Sequence, residues 1–157
     1  MARQRVCCIV GTKDTGARWS PTVEEMAKQV GFVAAQLGYV VLTGGLSGVM
    51  RAAAQGAKQH PGAVTVGVLP GVQLADANPY IDIVIPTGVG LARNVITALS
   101  GDVMVALPGG LGTLQEMSYA LEYKRPVASW GSHMLDGVEA LATLADVTEW
   151  LQDHNTL

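Results

Sequence analysis

The alternation of short apolar runs with helix-length segments predicts an α/β fold built on a doubly wound parallel sheet. The apolar runs lack the polar alternation of a half-exposed sheet, which indicates that helices cover both sheet faces. The chain has 157 residues, enough for one hydrophobic core. We therefore expect a single three-layer α/β/α, Rossmann-like domain over residues 1–157.

In the first half of the chain, an apolar run that ends at Gly11 predicts the first strand. A loop precedes Ser20-Pro21, which caps and starts the first helix, and Gly38 stops that helix. A second apolar run enters a glycine turn and then a second helix, which His60-Pro61-Gly62 breaks. The expected strands here are residues 5–10, 39–42 and 64–69, and the expected helices are residues 21–37 and 48–59.

In the second half, the third strand closes at Pro70-Gly71, and an irregular stretch separates it from the fourth. Gly88-Val89-Gly90 precedes the next helix, and a proline–glycine turn opens the helix after the fifth strand. The closing segment carries apolar residues at helical spacing. The expected strands here are residues 81–85, 103–107 and 126–130, and the expected helices are residues 91–99, 112–124 and 136–152.

The composition limits the classes of partner. A formal net charge of −3 disfavours nucleic acids and anionic membranes, which require a basic surface. No apolar run reaches the roughly 18 residues that span a bilayer, and the chain start lacks a secretory signal, so we expect a cytoplasmic protein. Apolar residues make up 49% and charged residues 15%, which favours apolar surface buried between subunits, in a homodimer or homotetramer.

The cysteines and histidines do not predict a metal site. Cys7 and Cys8 are adjacent, so in a strand their side chains point to opposite faces and cannot form an ordinary disulfide with each other. We expect buried thiols in a reducing compartment, with a metal or redox site as the alternative. His60, His133 and His154 are scattered, and we assign them neither a metal nor the role of catalytic base.

Two loops share one construction, in which a buried strand ends, two glycines follow and a helix begins. The first glycine loop is Thr43-Gly44-Gly45-Leu46-Ser47-Gly48, and the second is Pro108-Gly109-Gly110-Leu111-Gly112-Thr113. Glycine lacks the Cβ that keeps a ligand away, and a helix start offers unpaired N–H groups that suit a phosphate. Doubly wound sheets bind ligands at this edge. We therefore expect both loops to bind one phosphorylated, nucleotide-like molecule; the alternative is that they only form tight turns.

Neither loop is a Walker sequence or GxGxxG, so a generic triphosphatase or dinucleotide site is a poor interpretation. Two charged side chains lie near the loops. Arg93 is early in a helix and either grips an anion or is a solvated surface arginine. Glu116 follows Thr113 by three residues and either faces the ligand or forms a capping box with Thr113.

The motifs around these residues resemble a known family. Pro108-Gly109-Gly110-Leu111-Gly112-Thr113-Leu114-Gln115-Glu116 is similar to the PGGxGTxxE motif of the LONELY GUY proteins, a superfamily long labelled lysine decarboxylase-like. Residues 44–50 are similar to its GGxxGxM motif. Residues 78–88 and 92–95 look closest to the superfamily's molybdenum cofactor carrier branch. The resemblance covers roughly residues 5–130.

The resemblance implies one of two functions and leaves open whether the chain is an enzyme. Active members hydrolyse the N-glycosidic bond of a nucleoside 5′-monophosphate, for example AMP to adenine and ribose 5-phosphate, without a required cofactor. Arg93 and Glu116 fall on their catalytic positions. The alternative is a carrier of molybdenum cofactor, whose pterin bears a phosphate, without catalysis. The expected phosphate- and nucleotide-binding residues are Gly11, Thr12, Gly44, Gly45, Gly48, Arg93, Asn94, Pro108, Gly109, Gly110, Gly112 and Thr113, with no metal ligands.

Two positions favour different branches of the superfamily. Asn94 stands where the hydrolases usually have lysine and is typical of the carrier branch, whereas Pro108 agrees with the hydrolase motif. Lysine decarboxylation is excluded, because no lysine of the chain has a context that suggests a pyridoxal phosphate Schiff base.

Several apolar and aromatic side chains near the loops have two interpretations. Members of the superfamily are usually dimers or tetramers of dimers with subunit contacts close to the pocket. Met50, Met117, Tyr119 and Tyr123 either contribute to such a contact or pack in the core. Trp19 either stacks on a base of the ligand or packs against the helix that follows it.

Overall fold

The computed structural model describes residues 2–156 and confirms the three-layer α/β/α fold. The strands are β1 (Val6–Val10), β2 (Val40–Thr43), β3 (Thr65–Leu69), β4 (Ile83–Pro86), β5 (Val103–Ala106), β6 (Val127–Trp130) and β7 (Val138–Leu141). The helices are α1 (Pro21–Gln36), α2 (Val49–Ala57), α3 (Arg93–Ser100), α4 (Leu111–Glu122) and α5 (Leu144–Asp153). Across residues 2–156, no helix combines the length and the apolar character needed to cross a bilayer.

Seven parallel strands form the sheet in the order β4-β3-β2-β1-β5-β6-β7. β1 pairs with β2 on one side, where Val6 lies opposite Val40, and with β5 on the other, where Cys7 lies opposite Val103. The chain builds outward from β1 to β4 and then crosses to the other side at β5. The carboxyl ends of β1 and β5 therefore form the switch point at which doubly wound sheets bind ligands.

Two apolar cores lie on opposite faces of the sheet. Cys7 and Ile9 pack on the face covered by α1, α2 and α5, whereas Cys8 and Val10 pack on the face covered by α3 and α4. Neighbouring residues of β1 serve different cores because side chains alternate along a strand. Both cysteines are free and fully buried, as expected, and burial raises the pKa of Cys7 to about 12.

The prediction of one helix over residues 136–152 is wrong, because this segment contains β7 and then α5. Val138 and Leu141 belong to the edge strand, in which Val138 lies opposite Val127 of β6. The helix begins only after Thr143, whose Oγ1 accepts from the Asp146 amide at 3.1 Å while the Asp146 carboxylate accepts from the Thr143 amide at 3.1 Å. The spacing of 138, 141 and 145 fits a helix by coincidence, since a strand and a helix each contribute part of it.

Candidate functional site

A cavity of about 260 Å³ opens at the carboxyl ends of β1 and β5, between the two glycine loops. Nine of its lining residues are expected from the sequence: Gly11, Thr12, Gly44, Arg93, Asn94, Gly110, Gly112, Thr113 and Glu116. The expected residues Gly45, Gly48, Pro108 and Gly109 do not line the cavity and instead shape the loops behind its wall. The structure therefore brings the two charged candidates and most of the glycine-loop residues together.

Thr12 ties both glycine loops to the end of β1. Its N–H donates to the Pro108 carbonyl at 2.9 Å, and its own carbonyl accepts from the Val49 amide at 2.9 Å. A Cβ on Gly48 would lie 2.6 Å from the Asp14 nitrogen, so only glycine, at a φ of +65°, allows this approach. The first N–H of α2, that of Val49, is therefore occupied by protein.

The start of α4 is open to a ligand. Its first intrahelical acceptor is the Gly110 carbonyl, which takes the Leu114 amide at 3.1 Å. Across residues 2–156, the amides of Leu111, Gly112 and Thr113 have no hydrogen-bond acceptor. These three N–H groups lie at the positive end of the helix dipole, which suits a phosphate oxygen.

The capping-box alternative for Thr113 and Glu116 is wrong. The helix begins at Leu111, with Gly110 as its cap residue, so Thr113 is the third helical residue and cannot cap it. The Thr113 side chain instead packs against Gly109, at the start of the same loop. A Cβ on Gly109 would come within 2.6 Å of the Thr113 Cβ. Thr113 and Glu116 both line the cavity.

Arg93 is a buried cavity residue, so the surface-arginine alternative is wrong. Only 7% of its surface is exposed. Its Nε donates to the Val68 carbonyl at 3.0 Å, and its Nη1 donates to the Asn94 Oδ1. Burial lowers the pKa of the guanidinium, and the charge of Glu116 partly offsets that effect. In the part of the chain that the structure describes, Nη2 makes no hydrogen bond and is free for a ligand.

Gly44 creates the space that Arg93 occupies. A Cβ at this position would lie 2.7 Å from the Arg93 Nη2 and 2.7 Å from the Met50 Sδ. The adjoining peptide of Gly45 is held by Asn78, whose Nδ2 donates to the carbonyls of Gly45 at 3.2 Å and Leu46 at 2.9 Å. Sequence reasoning assigned no role to Asn78, because its contacts join segments 32 and 33 residues apart.

Glu116 is a buried carboxyl that neighbouring groups stabilise little, through hydrogen bonds or ion pairs. It is 8% exposed, and burial raises its pKa to about 7, although the charge of Arg93 lowers it in part. Across residues 2–156 it makes no hydrogen bond, and no ion pair joins it to Arg93 within 4.0 Å. Near neutral pH the group exists in both protonation states and can either accept or donate a proton.

The sequence did not single out several residues of the cavity as site residues. Lys13, Thr15 and Gly16 come from the loop after β1, and the apolar side includes Leu46, Met50, Pro70 and Leu91. For Lys13, Thr15 and Gly16, the only feature of the sequence that could have indicated a place in the site was their position directly after the first strand. Trp19 lies in a separate groove with Arg51 and Tyr80, and it packs against the core, as its second interpretation proposed.

The apolar candidates for a subunit contact divide into two groups. Met117 packs in the core beneath α3 and α4, so the core-packing alternative is correct for it, whereas Met50 is buried and lines the cavity. Tyr119 on α4 is 40% exposed, and Tyr123, the residue that caps the end of this helix, is 53% exposed. Leu111, at the start of the same helix, is 77% exposed.

Comparison with known proteins extends over nearly the whole chain. A solved structure of a molybdenum cofactor binding protein from the phototrophic bacterium Rippkaea orientalis is 33% identical, has a TM-score of 0.90 and covers 99% of this chain and 100% of that one. The molybdenum cofactor carrier protein from Chlamydomonas reinhardtii is 34% identical, with a TM-score of 0.87 and coverage of 97% and 98%. An uncharacterized protein of Archaeoglobus fulgidus is 43% identical over 104 residues, which are 66% of this chain and 68% of that protein.

The family assignment agrees with the fold and with the resemblance of the motifs. The sequence model of the SLOG cluster4 family matches residues 4–152 of the chain. This range contains all seven strands and both glycine loops. The chain belongs to the SLOG cluster4 family.

Proposed function

We propose that the protein binds a phosphorylated, ring-containing small molecule in this cavity and carries molybdenum cofactor as its cargo. The observation that carries the proposal is the convergence of the free α4 amides and the buried Arg93 on one cavity. Both groups are fixed by the fold, and both favour a phosphate oxygen. Lys13 lies at the same cavity and adds a flexible positive charge.

The apolar wall of the cavity supports a ligand with a flat ring beside its phosphate. Leu46, Met50 and Leu91 line this wall, and methionine adapts to irregular ring systems. Within residues 2–156 no group of three His, Cys, Asp or Glu side chains is placed to hold a metal ion. We propose that the carrier holds its cargo through the pterin phosphate and the ring, which match the amides of α4 and the apolar wall.

Two observations favour a carrier over an enzyme. The solved structures from Rippkaea orientalis and Chlamydomonas reinhardtii, each about one-third identical, are described as proteins that bind or carry molybdenum cofactor. In this chain, Asn94 accepts from the Arg93 Nη1 and its Nδ2 donates to Gln115 Oε1 at 3.1 Å. These hydrogen bonds fix the Nη1 side of the guanidinium to the protein. They leave Nη2 to bind an anion without taking part in a reaction.

A second candidate function is hydrolysis of a nucleoside 5′-monophosphate such as AMP. Glu116 and Arg93 support it, because both line the cavity and a carboxylate beside the ribose would stabilise the positive charge that develops as the glycosidic bond breaks. The pKa of about 7 leaves part of the Glu116 population ionised at neutral pH. The same phosphate site would serve both ligands.

One experiment separates the two functions. The protein is purified from cells that make the cofactor, its bound small molecules are identified by mass spectrometry, and the same sample is incubated with AMP while adenine is quantified. We expect a retained phosphorylated pterin, its loss in Arg93→Ala, its retention in the matched exposed variant Arg51→Ala, and no adenine. Adenine formation that Glu116→Gln abolishes would instead support the hydrolase. Absence of any affinity for the pterin, AMP and inorganic phosphate would refute both.

We also propose that the protein is a homodimer or homotetramer whose contact includes the outer face of α4. The exposed Tyr119, Tyr123 and Leu111 support this surface, since large apolar side chains grouped on one helix favour association. Sedimentation of the wild type and Tyr123→Glu tests it. We expect the variant to shift toward the monomer, and a monomeric wild type would contradict the proposal.

A further inference from the structure

His133 contacts the second glycine loop from outside the cavity. It lies in the segment between β6 and β7, and its Nε2 is 3.0 Å from the Gly110 carbonyl oxygen. Because a carbonyl only accepts, the Nε2 must carry the proton and donate it. From this contact, we infer that His133 is a positioning residue that orients the phosphate-facing peptide of the second glycine loop. The inference rests on the proposed binding of a phosphorylated ligand.

The peptide between Gly110 and Leu111 explains how a residue outside the cavity acts on it. In a trans peptide the C=O and the following N–H point in opposite directions. The Gly110 oxygen accepts from the Leu114 amide at 3.1 Å and from His133, and the two bonds together fix the direction of the Leu111 amide, one of the three free amides at the start of α4. A rotated peptide would lose both bonds and present an oxygen instead of an N–H to the anion, and His133 adds the side-chain part of the barrier to that rotation.

The second glycine loop has little side-chain packing to hold that peptide. Gly110 is exposed, and a Cβ built on it would have no atom within 4 Å. The Leu111 side chain is 77% exposed. Two adjacent glycines also have more backbone freedom than other residues. A hydrogen bond to the Gly110 oxygen is therefore effective in restricting this freedom.

The segment that carries His133 is itself well anchored. The Ser132 amide donates to Ser129 Oγ at 3.0 Å, and the Ser132 hydroxyl contacts the Met117 Sδ at 3.8 Å. A Cβ on Gly131 would lie 3.4 Å from the Pro108 Cγ, so the segment packs against the start of the same glycine loop. His133 thus links the loop to β6 and α4 rather than to a freely moving surface segment.

The test compares His133→Ala, His133→Gln and His154→Ala. His154 is a matched control, because its Nδ1 also contacts a main-chain carbonyl, that of Trp150 at 2.8 Å, on α5. Affinities for AMP and inorganic phosphate are measured by calorimetry, with the melting temperature of each ligand-free protein. We expect His133→Ala to weaken both affinities about threefold to tenfold, the range that one hydrogen bond supplies. In His133→Gln the side-chain amide can still donate to the Gly110 carbonyl, so we expect this variant to regain most of the lost affinity. We expect His154→Ala to change neither affinity.

The outcomes separate this inference from the proposed function. Wild-type protein that binds neither AMP nor phosphate refutes the function and the inference together. Wild-type binding with unchanged affinity in His133→Ala overturns the inference alone, as does an equal loss in the alanine and glutamine variants. A fall in melting temperature larger in His133→Ala than in His154→Ala, without the loss of affinity, would assign His133 a structural role only. Where the alanine variant fails to fold, the glutamine variant decides, through the phosphate-induced shift of the Leu111 amide signal in NMR spectra.

Discussion

Replacing Glu116 with glutamine should stabilise the protein at alkaline pH and have little effect at acidic pH. Burial raises the Glu116 pKa from 4.5 to about 7, so the folded state binds more protons than the unfolded state between these values. Stability contributed by this group therefore falls as the pH rises through that window, and the full cost is present above pH 7. With about 1.4 kcal/mol for each pKa unit, the cost is about 3 kcal/mol. Glutamine has nearly the same shape and no charge to bury.

The assay is urea denaturation of wild type and Glu116→Gln between pH 4.5 and 8.5. We expect the variant's free energy of unfolding to exceed that of the wild type by about 3 kcal/mol at pH 8 and by almost nothing at pH 4.5. In thermal melts the alkaline difference corresponds to roughly 6–12 °C, at about 2–4 °C for each kcal/mol in domains of this size. Glu122→Gln, an exposed change on the same helix, is the control. A difference that is constant across this pH range would refute the reasoning.

Three further substitutions test other parts of the site and fold. Gly44→Ala places a Cβ 2.7 Å from the Arg93 Nη2, so phosphate affinity should fall about tenfold or more in calorimetry while the circular dichroism spectrum is preserved; unchanged affinity would contradict the assignment of Nη2 to the ligand. Asn78→Ala removes both side-chain bonds to the first glycine loop, keeps the bond from its amide to the Gly45 carbonyl, and should lower the free energy of unfolding by about 1–3 kcal/mol, whereas a neutral effect would mean that the loop is held by other contacts. Thr143→Ala should cost about 1 kcal/mol through the lost cap of α5 and leave phosphate affinity unaltered, and a changed affinity would show that α5 communicates with the cavity.

The fold was largely predictable because buried parallel strands are recognisable as apolar runs between turn residues. Val103 to Ala106 is such a run, and all four of its residues are buried in β5. β7 was not predictable in this way, because Val138 is its only buried residue and Gly137 could equally interrupt or precede a helix. Edge strands bury one face at most, so their apolar pattern is weak.

The site was predictable where a local motif fixes the geometry. Arg93 is the first residue of α3, and Glu116 is the sixth residue of α4. Both helices begin after the carboxyl end of a strand, and this placement brings both side chains to the same edge of the sheet. The contribution of Lys13 and the anchoring of the first glycine loop by Asn78 were not predictable. Both residues lie in irregular segments, whose side-chain directions depend on distant parts of the chain.

The hydrogen bonds that hold Arg93 have a consequence for how quickly and tightly an anion is captured. A free arginine side chain has about 2 kcal/mol of rotamer entropy to lose on binding. Here the Val68 carbonyl and Asn94 already select one rotamer, so this entropy is lost during folding and does not weaken the complex. The Arg93 side chain is therefore preorganised, so the proposed anion would bind without rearranging it.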